Sequence, residues 1–377
     1  MKNLENSINR AFMSNRLKAI FANKIIMRKI YNTTAIPVLV ISIILCSCSS
    51  KNLLTISVTE PAPVYVPSNI KTIGIIDRSL PLEKNKEMDK LDKILSAEGK
   101  NLDKDGAHES VIGLFDELIN NNRFSEVKII DSVDVRSSGP GVFPSALSWK
   151  TIERICYENN VDAIFVLSFY DTDAKIDYKA VPIEINGPLG IKIPAVEHHA
   201  TIATLIKAGW RIYDPVNKFI LDEYLVNENM VLTGAGINPV RAIEAIMGRK
   251  EAVLQVSNNI GHNYALRILP YRMRVSRHYY VRGTNNFKIA KRRAQTGNWD
   301  GASELWDKEV SNPKSKVAGR ACYNIAIINE INGDLNAAIE WASKSYTDYK
   351  NKMALRYLNV LKYRIERNKQ LQQQMEY

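Results

Sequence analysis

In the first segment of the chain that we expect to fold, some apolar residues form strand-like runs and others recur at the spacing of a helix. β-branched runs at Lys71–Asp77 and Val127–Asp131 predict strands, and the near-continuous apolar run Val161–Tyr170 is typical of a central strand covered on both faces. Between these runs, apolar residues recur at helical spacing over 111–119 and again over 148–160, where Ser148 is placed to cap the helix. The pattern therefore predicts alternating strands and helices.

The pattern changes after residue 180. Glycines and prolines in Val181–Pro194 predict no regular element there. Alternation over Ala200–Tyr213 and Phe219–Val226, on either side of an Asp-Pro turn, predicts a β-hairpin, and a long helix should follow from about Pro239 to Leu266. The order β-α-β-α-β-β-β-α predicts an α/β fold, a mixed-sheet sandwich, over residues 69–283.

This order of elements resembles the α/β domain of bacterial envelope lipoproteins such as the curli-secretion channel lipoprotein, and the N-terminal domain of the Tol-system propeller protein. The resemblance covers about half of the chain. It implies a role in an envelope or secretion assembly. The matching segments are Lys71–Asp77, Phe124–Asp131, Asp162–Leu167 and the Trp210–Leu221 hairpin around Asp214.

The last hundred residues contain an internal repeat. Small residues recur at an offset of 36 positions, with Ala290, Gly297 and Ala302 matched by Ala326, Gly333 and Ala338. The segment Tyr323–Ala326 with the later Gly-Asp pair resembles the tetratricopeptide repeat, whose period is about 34 residues. The resemblance implies an all-α, tetratricopeptide-like helical module over residues 284–377, ending in a cap helix, that binds a protein partner.

A targeting signal is expected before all of these elements. A basic pair, Arg28-Lys29, precedes the apolar run Ala35–Leu45, which is too short to span a bilayer of about 30 Å. The run ends in Leu45-Cys46-Ser47-Cys48, which resembles a lipobox. We expect a signal peptide over residues 1–47, with Met27 as an alternative start, and a diacylglyceryl anchor on Cys48. A lipidated tether over 48–68 should then hold the protein at the cell envelope, at the outer membrane.

The expected signal peptide accounts for much of the positive net charge of the chain. Residues 1–47 hold seven Lys and Arg and one acid, so they carry +6 of the formal net charge of +11 and leave +5 on the remainder. More than half of the basic excess therefore belongs to targeting, and no nucleic-acid partner is predicted.

One basic surface remains a candidate contact for an anionic ligand. Residues 252–299 contain no acid and nine Lys or Arg, and Arg272, Arg274 and Arg277 fall within a segment of alternating polarity. Such arginines suit phosphate headgroups or carboxylates of a polymer. The alternative, which the apolar positions of this segment favour, is a strand packed on the protein whose arginines pair with acids of the first domain.

The remaining candidate chemistry does not form a recognisable site in the sequence. Cys156 and Cys322 lie far apart in predicted helices and should be buried free thiols rather than a disulfide. His198 and His199 stand beside Glu197 but lack a third metal ligand at suitable spacing. Four aspartates follow strand ends, where open α/β folds bind ligands, although acids at such places are also common turn formers: Asp77, Asp131, Asp171 and Asp173.

No phosphate-binding loop or nucleophile elbow is found, so no cofactor, metal or catalytic residue is predicted. The leading interpretation is a membrane-anchored, non-catalytic interaction scaffold. One alternative is a structural subunit of an outer-membrane secretion or envelope-assembly complex, and another is an enzyme whose site is not recognised.

Overall fold

A computed structural model describes residues 50–79, 102–131, 143–186, 190–246 and 248–375. The lipobox, with Cys48, lies outside these ranges. The strands are β1 (Lys51–Glu60), β2 (Thr72–Asp77), β3 (Glu126–Ile129), β4 (Ala163–Asn186), β5 (Lys192–Asp214), β6 (Phe219–Gly236) and β7 (Tyr271–Tyr280). The helices are α1 (Leu102–Asn120), α2 (Trp149–Asn159), α3 (Pro239–Glu244), α4 (Arg249–Ala265), α5 (Asn285–Gln295), α6 (Trp299–Asp307), α7 (Ser315–Ile331), α8 (Leu335–Thr347) and α9 (Lys352–Met375).

The described residues divide into two compact units. The α/β unit comprises residues 57–273 and 365–375, and the helical unit comprises residues 50–56 and 274–364. The expected boundary at 283/284 differs from this division, because most of β7 belongs with the helices. Strand β7 forms a two-stranded sheet with β1.

The α/β unit is built on a five-stranded mixed sheet in the order β3-β2-β4-β5-β6. Strands β2, β3 and β4 are parallel, whereas β4, β5 and β6 are antiparallel. This arrangement, with the helices that follow, confirms the predicted mixed α/β fold and the all-α segment after it.

Helices cover both faces of the parallel part of the sheet. On the face toward α1 and α4, Trp210 stacks on Tyr264 with ring centroids 5.0 Å apart, and Phe165 meets the same tyrosine edge-on. On the other face, Ile152 and Ile155 of α2 pack in a separate apolar cluster. The near-continuous apolar run of β4 is explained by this double burial.

Helices α1 and α4 approach each other closely through small residues. A Cβ added to Gly261 would lie 1.8 Å from the carbonyl oxygen of Ser110, and one added to Gly113 would lie 2.0 Å from that of Asn258. Ser110 Oγ donates a hydrogen bond of 2.8 Å to the carbonyl of Ser257. Larger residues would separate the two helices and open the core beneath them.

The two halves of the internal repeat have the same local geometry. Gly297 and Gly333 lie two residues after the ends of α5 and α7, with φ of +81° and +85°. Asn298 and Asp334 then cap α6 and α8, accepting the backbone N–H three residues on at 2.8 and 2.9 Å. The sequence repeat thus corresponds to two helical hairpins of similar design, and α9 follows them.

Three expectations differ from the structure. The segment expected as a tether contains strand β1. The helix expected over 239–266 is two helices, α3 and α4, and Gly248 after the first has φ of +74°. Much of the stretch expected to be irregular, Val181–Pro194, belongs to β4 and β5. No helix in the described ranges combines the length and the apolar character that a bilayer crossing requires.

Candidate functional site

The most distinctive surface of the α/β unit is the part of its sheet that continues past the parallel strands β2 and β3. The parallel neighbour β2 pairs with β4 only as far as Leu167, yet β4 and β5 continue as a paired ribbon to Asn186 and Lys192. We call residues 171–186, 190–207 and 227–236 the β arm. Its length far exceeds the usual strand of five or six residues.

The middle of the arm has a small core of its own. Ala200 and Ile202 of β5 are buried against Ala242 of helix α3 and Ile246 just after it. A Cβ on Gly234 of β6 would lie 2.3 Å from the carbonyl oxygen of Ala242, so glycine is needed for this contact. Helix α3 therefore covers one face of the arm about midway along it.

The outer end of the arm, residues 181–186 and 190–196, is called the arm tip. Cross-strand pairing places Ile185 opposite Ile193, and Ile183 opposite Ala195, on one face, whereas Pro182 is opposite Val196 on the other. Ile191 is 63% exposed and Val196 is 52% exposed. The face of Ile185 and Ile193 is thus apolar and open, whereas the opposite face combines Val196 and the prolines with the charged side chains Glu184 and Lys192.

The two prolines of the tip, Pro182 and Pro194, do not interrupt the hydrogen bonds between β4 and β5. The N–H of Thr172 donates to Asp103 Oδ1 at 3.1 Å, so even-numbered residues of β4 beyond it direct their N–H away from β5. Pro182 and Pro194 therefore lack the N–H only on strand edges that no described strand occupies. Such edges are where prolines are tolerated in sheets.

The strand-end aspartates separate into two groups. Asp77 and Asp131 lie with His108 at a pocket of about 410 Å³ at the carboxyl ends of β2 and β3. Ser79 donates to Asp77 Oδ1 from its backbone N–H at 2.8 Å and its hydroxyl at 2.6 Å. Burial raises the pKa of Asp77 despite these hydrogen bonds.

The other two strand-end acids lie at the base of the arm. Lys207 of β5 forms ion pairs with both Asp171 and Asp173. Burial, followed by repulsion from Asp173 and Asp103, raises the pKa of Asp171. Lys207 thus offsets an accumulation of acids at this edge.

The histidines of the arm are held separately. His198 stacks on Tyr178 with centroids 5.5 Å apart, whereas His199 Nε2 lies 2.8 Å from Glu197 Oε2. Opposite faces of β5 carry the two rings, because successive strand residues alternate. No group of three metal-binding side chains occurs in the described ranges.

The three candidate arginines have different surroundings. Arg272 and Arg274 are exposed and form no ion pair with the residues that the structure describes. Arg277 instead forms two hydrogen bonds of 2.7 Å with the carboxylate of Glu330 in α7. The acid that pairs with Arg277 thus comes from the helical segment and not, as expected, from the first domain.

Glu330 is the centre of a buried polar cluster in the helical unit. Its side chain is 0% exposed and also accepts a hydrogen bond of 2.6 Å from the hydroxyl of Tyr357. One turn and a half earlier, Asn324 accepts from the N–H of Tyr280 and donates to its carbonyl, both at 2.7 Å. Helix α7 thereby binds the end of strand β7 as a neighbouring strand would.

Both described cysteines are buried and free. Burial raises the pKa of Cys156 to about 12 and that of Cys322 to about 11. Each thiol is therefore protonated at neutral pH and a poor nucleophile.

The arm tip was missed in the sequence although a signal is present. Apolar residues alternate at 181, 183 and 185 and again at 191, 193 and 195, which is the period of a strand. The prolines that lie between them argued against a strand. A strand tolerates these prolines only because its neighbouring edge is open, and whether an edge is open depends on the whole sheet and cannot be read from the segment alone.

Comparisons with known proteins concern mainly the α/β unit. A family profile described as a domain of unknown function, DUF8603, matches residues 70–280, and a second, DUF6340, also described as a domain of unknown function, matches residues 288–363. No curated protein matches the chain.

Two solved structures show weak likeness. The PelC dodecamer from Paraburkholderia phytofirmans is 9% identical with a TM-score of 0.21, covering 58% of this chain and 98% of that one. A protein described as a neuraminyllactose-binding hemagglutinin homolog from Helicobacter pylori is 10% identical with a TM-score of 0.20, covering 55% of this chain and 92% of that one. Scores this low support no inference about this chain. The DUF8603 match spans more than half of the residues, and the protein belongs to that family.

Proposed function

We propose that the protein is a non-catalytic interaction scaffold of the bacterial cell envelope, anchored through a lipid on Cys48, that binds a partner protein through its arm tip. The observation that carries the proposal is the apolar face of the tip, to which four of its five exposed apolar side chains belong. Five large apolar side chains there are exposed: Val181, Ile185, Ile191, Ile193 and Val196.

Exposure of this kind is costly unless it serves binding. Full burial of one large apolar side chain contributes about 1.5–3 kcal/mol of favourable free energy, so a contact that covers several of them is strongly favoured. Contiguous apolar patches on a protein surface commonly mark interaction sites. The main ionic feature of the tip, Glu184 with Lys192 at 2.8 Å, is a local pair that leaves the apolar positions open.

The helical segment supports a scaffold role in a different way. Two hairpins of matched geometry, with small residues Ala302 and Ala338 fully buried, suit a tetratricopeptide-like module. One of its helices, α7, already holds the chain's own strand β7 through Asn324. We therefore assign partner binding to the arm tip, and a stabilising role to this face of α7.

The anchor and the location remain part of the proposal. The lipobox-like residues predict acylation of Cys48 and retention at the outer membrane. An apolar tip on a lipid-anchored protein would meet partners close to the membrane. No nucleotide, metal or other cofactor is part of the proposed role.

Site-specific photo-cross-linking in cells tests the partner site. Benzoylphenylalanine replaces Ile185 in the full chain, and a matched variant carries it at Tyr157, which is 88% exposed on α2 of the same unit. We expect one discrete protein adduct from position 185 and none from position 157. The double change Val181→Ser and Ile193→Ser should abolish the adduct while leaving the amount of protein unchanged.

Two outcomes would overturn the proposal. One is an adduct of lipid alone, which would make the tip a membrane-inserting element. The other is equal cross-linking from positions 185 and 157, which would mean that the tip has no selective contact.

A further inference from the structure

The β arm carries a second open surface, separate from its tip, along the edge of β4. No strand that the structure describes pairs with this edge after Leu167. Because the N–H of Thr172 points outward to Asp103, the next outward-directed residues are Ala174, Ile176 and Tyr178, followed by Ala180. No described strand is hydrogen-bonded to their outward N–H and C=O groups.

The side chains between these positions carry alternating charge on a single face. Asp173, Lys175, Asp177 and Lys179 occupy successive positions on the face opposite to that of Ile176. Lys175, Asp177 and Lys179 are exposed and have no ion pair with any described residue. When a second copy of this row runs antiparallel to the first, each acid can lie opposite a lysine.

We propose that two copies of the chain pair antiparallel through this edge, about a two-fold axis at Ile176. In that register Ile176 faces its symmetry mate, and Ala174 faces Tyr178 of the second copy, as hydrogen-bonded pairs. Lys175 then faces Asp177, and Asp173 faces Lys179, in the closer pairs that lack hydrogen bonds. Each charge meets its opposite, and every contact occurs twice.

Charge disfavours the neighbouring registers. Moving the axis by one residue brings either Lys175 or Asp177 against its own symmetry mate, and the flanking pairs also become like-charged. Like charges directly opposite each other destabilise a sheet, whereas opposite charges stabilise it. The axis at Ile176 is the one that matches both pairs of charges.

The extent of pairing is limited at each end. At Thr172 the outward N–H is already bonded to Asp103, and Pro182 has none to offer. Asp173 also pairs with Lys207 in its own copy, so the inner contact of Lys175 with Asp177 carries most of the electrostatic specificity. The inference is independent of the proposed function, because its variants leave the arm tip unchanged.

Disulfide trapping tests the register on the full chain purified in mild detergent. Asp173→Cys and Lys179→Cys are combined in one chain. Within that chain the two cysteines are roughly 20 Å apart along the strand, so a disulfide between positions 173 and 179 must join two copies. Paired positions of this type have Cα atoms about 4.5 Å apart, which suits a disulfide. We expect oxidation to give a dimer from the double variant, but only background from each single variant and from the unsubstituted chain.

Charge exchange tests the specificity by light scattering on the same preparation. Lys175→Glu or Asp177→Lys alone should weaken the dimer about tenfold or more, since two attractive pairs become repulsive. The combination of both changes should bring the dissociation constant of the dimer back to within about threefold of the original value. High salt should weaken the original dimer as well, because exposed charges are screened.

A chain that stays monomeric at all concentrations would overturn the inference. So would a dimer that neither single change weakens, because it would use another surface. The tip double variant should dimerise normally, so the failure of one proposal remains distinguishable from the failure of the other.

Discussion

At the scale of single residues, Asp77 and Asp162 show how one side chain type is used in two electrostatic settings. Burial raises the pKa of Asp77, so its charged form is disfavoured in the folded protein. Burial also acts on Asp162, but the backbone N–H groups of Thr72 and Lys71, both at 2.8 Å, outweigh it and lower the pKa. The two carboxylates should therefore respond to pH in opposite senses.

We expect Asp77→Asn to stabilise the protein by about 1 kcal/mol at pH 7, because the amide oxygen still accepts from Ser79 without the cost of a buried charge. A raised folded-state pKa means that the native aspartate favours folding at low pH. That advantage is lost as pH rises through the folded pKa, from the ordinary value of about 3.9 upward. The gain from Asp77→Asn should therefore shrink toward pH 4.

Asp162→Asn serves as the matched comparison. Its lowered pKa gives stability that is present above the ordinary value of about 3.9 and is lost as pH falls through the folded pKa. The loss caused by Asp162→Asn should thus be largest at neutral pH. Urea unfolding between pH 3.5 and 7 measures both variants, and parallel pH curves would contradict the assignment.

Arg277 provides a third residue-scale test. Arg277→Gln leaves the buried carboxylate of Glu330 without its main cation, which should cost about 3–5 kcal/mol. The double change Arg272→Gln and Arg274→Gln affects exposed side chains and should cost less than about 0.5 kcal/mol. Thermal unfolding of the full chain in detergent compares them, and an equally small effect of Arg277→Gln would mean that the Glu330 cluster contributes little.

At the scale of elements, the packing of α8 depends on a small residue. Ala338 is fully buried, and we expect Ala338→Phe to overpack its contact at a cost of about 1–3 kcal/mol. Asn336 lies on the exposed face of the same helix, so Asn336→Phe should be nearly neutral. Melting temperatures measure both, and equal shifts would place the close contact elsewhere.

Elements whose signals are local were predicted from the sequence. Ser148 caps α2 by accepting from the N–H of Thr151, and the helix ends at Asn160 with φ of +58°, both as expected from residue types. The break near Gly248 was missed because the apolar positions continue on both sides of it. The partner of Arg277 could not be found either, since Glu330 lies 53 positions away and only the fold brings the two together.

At the scale of the whole molecule, the outstanding prediction concerns the anchor. Because Leu45 and Ser47 frame Cys48, we expect Cys48→Ala to yield a precursor that keeps its leader and receives no lipid. Incorporation of labelled palmitate in cells measures the change, with Cys322→Ala as the control because that thiol is buried. Equal labelling of the Cys48→Ala chain would remove the basis for envelope localisation.

The prolines of the arm have a consequence for how chains accumulate. Strands with open edges and apolar faces are templates for fibres, since each added chain exposes a fresh edge for the next. Pro182 and Pro194 each remove a donor from such an edge, so growth along the tip would leave carbonyls without partners. The apolar tip can therefore remain exposed at high local concentration without nucleating a filament.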